Sequence, residues 1–201
     1  AYPSVMNILL ALREREKTGK GCYLDMAMAE NVLPFMYWSM GNGLAAGKWP
    51  VNGKERVTGG TARFHIYTTK DGKAVAAAPL EQKFWENFCE IIELEDNFKN
   101  DDADPEATIA RVEAIIRADT AANWAAKFQG KDCCCNIVQS IEEALKDPHF
   151  AARGVFAHKV RNAAGDVLPA LPMSVAPRFR ADPKEILEPP QIGAHNKEYL
   201  P

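Results

Sequence analysis

The sequence predicts a mixed α/β chain, and three observations carry that expectation. Apolar residues recur at three- and four-residue spacing in several segments long enough for helices, the period of a helix with one buried face. Strand-like runs flank Lys70–Asp71–Gly72, and others flank Ala163–Ala164–Gly165–Asp166, so two hairpins are expected. The composition is that of an ordinary globular protein, with 47% hydrophobic and 25% charged residues over 201 positions.

The elements follow in order. Pro3 opens the first helix, because the N–H it lacks would have no partner in a first turn. Val5, Ile8, Leu9 and Leu12 lie on one face of this helix, and Gly19 closes it. Residues 22–28 alternate around Leu24, Met26 and Met28 and predict a strand. Residues 29–44 predict a helix with Pro34 near its first turn or kinking it. Glycines, Pro50 and Asn52 make residues 47–60 a loop and a candidate domain boundary. Residues 64–69 and 73–78 form the first hairpin around Asp71–Gly72. Residues 81–94 are an amphipathic helix with Phe84, Trp85, Phe88, Ile91 and Ile92 as its stripe.

Asp104 and Pro105 are the N-cap and first residue of a helix reaching about residue 119, with Ile109, Val112, Ile115 and Ile116 inward. Thr120 caps a further helix over 121–129, holding Trp124 and Phe128. Residues 134–138 read as a short strand, and Ser140 with Glu143 has the spacing of a capping box. Asp147–Pro148–His149–Phe150 starts a short turn or helix ending at Gly154. Residues 155–160 and 167–171 form the second hairpin, and the proline-rich tail, 176–201, is expected to run extended over another surface.

Charge and cysteine usage exclude several classes. A net charge of −3 gives no general polyanion-binding surface, which argues against nucleic acid as a partner. The most apolar stretch, 23–46, carries Asp25, Glu30 and Pro34 and is too interrupted for a membrane span. Five cysteines, three of them adjacent at Cys133, Cys134 and Cys135, make a poor disulfide framework, so free thiols in a reducing cytoplasm are expected. The triplet lacks the two-to-four-residue ligand spacing of zinc sites, so the thiols are expected to pack as small apolar groups and no metal site is assigned.

Thr18–Gly19–Lys20–Gly21 lacks phosphate-loop spacing and reads as a tight turn. The histidines His65, His149, His158 and His195 are dispersed and expected to be structural or exposed. Glu81 follows the strand end at Ala78–Pro79 and falls in the first turn of a helix. It serves either the helix macrodipole or chemistry at a strand-to-helix junction. The early start of the first helix leaves two readings as well, a domain that begins with a helix or a chain whose upstream part is missing.

Taken in order, these blocks resemble the family III CoA-transferases, which include the alpha-methylacyl-CoA racemases. The resemblance is carried by residues 13–28 (REREKTGKGCYLDMAM), by Gly59–Gly60 with 64–73 (FHIYTTKDGK), by 80–85 (LEQKFW), and by 140–154 with Asp147–Pro148–His149–Phe150 and Arg153–Gly154. It implies an α/β fold in which 1–55 ends a Rossmann-like large domain and 60–150 forms a small α+β domain. Residues 151–201 would return to pack on the large domain. It also implies an interlocked homodimer, of which this chain is the C-terminal part, lacking its N-terminal half or completed by a partner chain.

The family's catalytic aspartate and the racemases' histidine then lie upstream, and Asp25 is not that aspartate. Glu81 matches a racemase-type glutamate that supports the histidine. Gly59 and Gly60 match the start of a loop that covers the active site in some transferases and are assigned to substrate binding. The implied activity is α-proton removal from an acyl-CoA thioester, with coenzyme A thioester as substrate and no prosthetic group. The alternatives are CoA transfer between carboxylic acids through an aspartyl intermediate, or a non-catalytic subunit. The chain alone is expected to be inactive.

Overall fold

The structure is a computed structural model describing residues 2–172 and 175–200. Its contacts divide the chain into two compact units, Ala1–Ile137 and Val138–Pro201. Helices and sheets are both present, in keeping with the α/β class. Among the described residues no helix is long and apolar enough to cross a membrane.

The first unit opens with helix α1, Tyr2–Thr18, which ends where Gly19 turns left-handed (φ +72°) and donates its N–H to the Arg15 carbonyl at 2.8 Å. The glycine closes the helix because it alone adopts that φ without a Cβ penalty. No residue of α1 is buried, and Val5, Ile8, Leu9 and Leu12 all stand exposed.

Two expectations fail in the next segment. Residues 22–28 form no strand, and the alternation there has no ladder partner among the described residues to satisfy its backbone groups. The helix expected over 29–44 is also broken. Turns lead into a 3₁₀ segment, Leu33–Met36, with Pro34 in its first turn, and only then does α2, Tyr37–Ala46, begin. A proline has no N–H to give an i−4 carbonyl and disfavours helical backbone before it, so the regular helix starts beyond Pro34. Gly43 is the buried residue of α2; a Cβ there would lie 2.3 Å from the Trp49 ring, so the indole lies directly on the helix backbone.

The core lies further along. Strands β1, His65–Thr68, and β2, Ala74–Ala77, pair antiparallel as the expected hairpin. Gly72 supplies the positive φ (+76°). Helices α3, Gln82–Ile91, α4, Pro105–Arg117, and α5, Ala121–Phe128, follow. Strand β3, Cys135–Ile137, then joins the far side of β2 to give the order β1-β2-β3. The predicted helix stripes meet on one side of this sheet, where Tyr67, Val75, Trp85, Phe88, Val112, Ile116, Trp124 and Phe128 form a single buried cluster. Each large side chain so buried contributes about 1.5–3 kcal/mol.

The polar atoms carried into this core are bonded. Indole N–H groups of Trp85 and Trp124 donate to the carbonyls of Lys99 and Ile116, each at 2.8 Å. Asp101, 3% exposed, pairs with Arg63 at 2.8 Å, and the Arg63 guanidinium lies over the Trp85 ring. Asp104 caps α4 by accepting from the Ala107 N–H at 3.0 Å, as its place before Pro105 predicts. Asp71 does more than turn the hairpin. Its carboxylate accepts from the Thr69 hydroxyl (2.6 Å) and from the Ala121 N–H (3.0 Å), tying the turn to the start of α5. At the outer edge of β1, the Glu113 carboxylate of α4 accepts the Thr68 N–H at 3.0 Å.

The second unit consists of short elements. Ser140 and Glu143 form the expected capping box at the start of α6, Ile141–Leu145. Asp147 caps α7, Pro148–Ala152. Strands β4, Lys159–Arg161, and β5, Val167–Pro169, make the second hairpin, shorter than expected. The tail adds what the sequence reading lacked: β6, Ile186–Leu187, pairs parallel to β4, and α8, Asn196–Tyr199, follows. Among its described residues none is buried.

Candidate functional site

Glu81 sits one position earlier than the sequence predicts, at the N-cap of α3 and not in its first turn, in extended conformation (φ −77°, ψ 145°). Strand β2 delivers the chain there: the Ala78 N–H bonds the Cys134 carbonyl at 3.0 Å, Pro79 is buried, and Leu80 follows. The Glu81 carbonyl accepts the N–H groups of Phe84 and Trp85, at 3.1 and 3.0 Å, and so begins the helix. Its side chain makes no capping bond and is exposed. Shorter Asp, Asn, Ser and Thr side chains fold back onto the N2 and N3 amides, which is why they dominate this position. The longer glutamate leaves its carboxylate turned to solvent, where it is available to another group.

The groups around it are charged. Lys83 holds Asp132 at 2.6 Å, and that bond raises the ammonium pKa. Cys134, with φ +50°, is exposed, yet desolvation of its sulfur, followed by the negative charges of Glu81 and Asp132, pushes its thiol up. Cys133 and Cys135 are buried on the core side, and the Cys135 thiol, raised first by burial, lies 3.1 Å from the Cys133 carbonyl. Cys133 and Cys135 pack as small apolar groups, as expected, but Cys134 does not: it precedes β3, and its left-handed backbone leaves it exposed. All five cysteines are free, and among the described residues no three His, Cys, Asp or Glu side chains converge as metal ligands.

Gly59 and Gly60 belong to an ordered loop. Gly60 donates to the Glu55 carbonyl at 3.0 Å, and a Cβ on it would stand 2.1 Å from the Lys54 carbonyl oxygen, so only glycine fits. Gly59 has φ +103°. Glu55 binds the loop internally, accepting the Val51 N–H, while Lys54 pairs with Glu106 at 2.7 Å.

Arg56 joins the two predicted sites: its Nη2 donates to the Leu80 carbonyl at 3.3 Å, one residue before Glu81. The structure therefore brings the glycine loop to the strand-helix junction. The sequence reading missed Arg56, since nothing in the spacing of residues 56 and 80 announces the contact. It also missed His65, whose Nδ1 lies 2.8 Å from the Gly59 carbonyl. The other histidines sit elsewhere: His149 against Phe150, His158 on the Ala181 carbonyl, and His195 beside Tyr199.

An α/β chain with a free carboxylate at a strand-helix junction, and a fixed glycine turn tied to it, has the form of a loop-borne site on a rigid scaffold. The family model of CoA-transferase family III matches residues 1–196, and the chain belongs to that family. It is 28% identical to the alpha-methylacyl-CoA racemase of Homo sapiens over 97% of this chain and 50% of the human protein. It is 27% identical to the succinyl-CoA–L-malate CoA-transferase alpha subunit of Chloroflexus aurantiacus, over 92% of this chain and 45% of that protein. Rv3272 of Mycobacterium tuberculosis, known from a crystal structure, shares the fold with a TM-score of 0.65 at 20% identity, covering 96% of this chain and 51% of its own. The chain spans about half the length of the curated relatives it matches.

Proposed function

We propose that the chain forms part of an alpha-methylacyl-CoA racemase-like enzyme that removes the α-proton of an acyl-CoA thioester. The observation that carries this reading is the Glu81 carboxylate, exposed and free of any capping bond, beside the anchored glycine loop. The α-proton of a thioester is weakly acidic, so its removal needs a base, a proton donor on the opposite face, and stabilisation of the enolate oxygen. Glu81 would accept a hydrogen bond from the family's histidine, hold its orientation and favour its protonated form. Gly59 and Gly60 would line the substrate's path.

In this reading residues 1–55 end a Rossmann-like large domain, 60–150 form the small domain, and 151–201 return to the large domain in a cytoplasmic homodimer. The family aspartate and histidine come from outside the blocks matched here, so residues 1–201 alone turn over no acyl-CoA. Coenzyme A thioester is the substrate, with no prosthetic group.

The test is Glu81→Gln in the complete enzyme, following deuterium uptake at the α-carbon of a branched acyl-CoA in D₂O. The expected rate loss is roughly ten- to a thousand-fold, the scale of a damaged acid-base arrangement. Unchanged uptake in a folded variant would sink the reading. A transferase reading, favoured by the Chloroflexus relative, predicts instead that CoA moves between two carboxylic acids while α-deuterium uptake stays at background.

A further inference from the structure

We propose that His65 is a positioning residue: its Nδ1–H latches the Gly59 carbonyl and so fixes the glycine turn beside the Leu80–Glu81 junction for binding of the acyl-CoA. The proposal rests on the reading of Glu81 and the glycine pair given above.

The latch is built from two side chains of one strand. His65 and Tyr67 are two positions apart on β1 and so point to the same face, where their rings lie 4.9 Å apart. Each binds one carbonyl of the incoming loop. His65 Nδ1 is 2.8 Å from the Gly59 oxygen, and the buried Tyr67 hydroxyl donates to the Ala62 oxygen at 2.8 Å. A carbonyl oxygen only accepts, so the hydrogen sits on Nδ1, and in the neutral ring Nε2 is the bare nitrogen.

Between the two anchored carbonyls lies Gly60, whose N–H is held by Glu55 and whose Cα has no room for a side chain. The other end of the loop is fixed by Arg56 on the Leu80 carbonyl. Tyr67 is sealed in the core, and burial holds its hydroxyl firmly protonated, so it is a constant donor. His65 is only half-buried, and its bond to Gly59 is the one that reaches the glycine pair itself. With that bond made, the Gly59–Gly60 backbone enters substrate binding already ordered, which lowers the cost of ordering it on association.

Two substitutions separate a donor from mere bulk. Asparagine places an amide N–H where Nδ1 stands, and glutamine places it where Nε2 stands. In the 201-residue chain, long-range ¹H–¹⁵N correlation of the imidazole should show the Nδ1–H tautomer. Hydrogen exchange of the Gly60 amide should quicken about three- to tenfold in His65→Gln, the weight of one neutral hydrogen bond, and return to the native rate in His65→Asn. In the complete enzyme, His65→Gln should raise KM for the acyl-CoA by a similar factor with kcat within about twofold, again restored by asparagine.

An Nε2–H tautomer, unchanged Gly60 exchange in His65→Gln, or a loosened turn with unaltered KM overturns the latch. Full activity of Glu81→Gln alongside the expected Gly60 exchange would count against the reading of Glu81 alone. Native tryptophan fluorescence, to which the buried Trp85 and Trp124 contribute, confirms that each variant is folded.

Discussion

Helix α1 and helix α3 carry similar apolar side chains and meet opposite fates. In α3, Trp85, Phe88 and Cys89 disappear into the core against the sheet and helices α4 and α5. In α1, Val5, Ile8 and Leu12 remain exposed and Leu9 is 61% exposed. Periodicity in a sequence tells which residues share a face of a helix; it does not tell what covers that face. For α3 the cover lies close by in the chain on both sides, in the hairpin before it and in the two capped helices and β3 after it. On α1 the same spacing leaves Val5, Ile8, Leu9 and Leu12 as an exposed apolar row.

The sharpest test of that contrast is a pair of alanine substitutions. Phe88→Ala should cost about 3–5 kcal/mol, because it removes a sealed aromatic ring and leaves a cavity. Leu9→Ala should stay within about 0.5 kcal/mol, as expected for a surface position. Urea unfolding of the purified chain measures both, and equal losses would erase the distinction between the two helices. Asp101→Ala comes next, at about 3 kcal/mol, since it strands the Arg63 guanidinium beside Trp85 without its counter-charge. Asp104→Ala should cost about 1 kcal/mol through the lost cap on α4, read as a lowered urea midpoint.

The α1 face gives a prediction of a different kind. Val5→Glu with Leu9→Glu should leave the unfolding midpoint nearly unchanged and lower the mass seen by light scattering at high protein concentration, because the exposed apolar row drives association. A native chain that stays monomeric at every concentration would break the argument. The smallest effect is on pH dependence. The Thr69 hydroxyl and the Ala121 N–H hold the Asp71 carboxyl below its usual range. A group depressed in the folded state adds stability above the ordinary aspartate pKa, near 3.9, and loses it as pH falls through the lowered value. Asp71→Asn should therefore flatten the fall in urea midpoint on acidification below about pH 4, and an identical acid slope would remove Asp71 from the account.

What was legible in the sequence follows the range of the interactions. The capping residues Asp104, Thr120, Ser140 and Asp147 act within three residues of themselves, and each was readable where it stands. The Asp71–Gly72 turn was readable for the same reason, but the reach of Asp71 to Ala121 was not, because a carboxylate accepts from any N–H the fold brings near. Residues 22–28 misled because alternation describes a strand only when a neighbouring strand completes its hydrogen bonds. For the proposed site, Glu81, Gly59 and Gly60 were suggested by resemblance. Arg56 and His65 were not, since their partners are backbone carbonyls, which every residue possesses and no spacing distinguishes.

The bond from Thr68 to Glu113 has one more consequence. A sheet of three strands ends in two open margins, and each is a template on which a foreign strand can be added. On β1 the outward N–H of Thr68 is already taken by a carboxylate, so an invading strand would have to evict a negative charge before its first bond formed. Glu113, itself paired with Arg117, would thus hinder strand addition at that point of the margin. Its loss would surface first as fibrils seen by thioflavin binding in concentrated stocks, well before any change in the chain's melting.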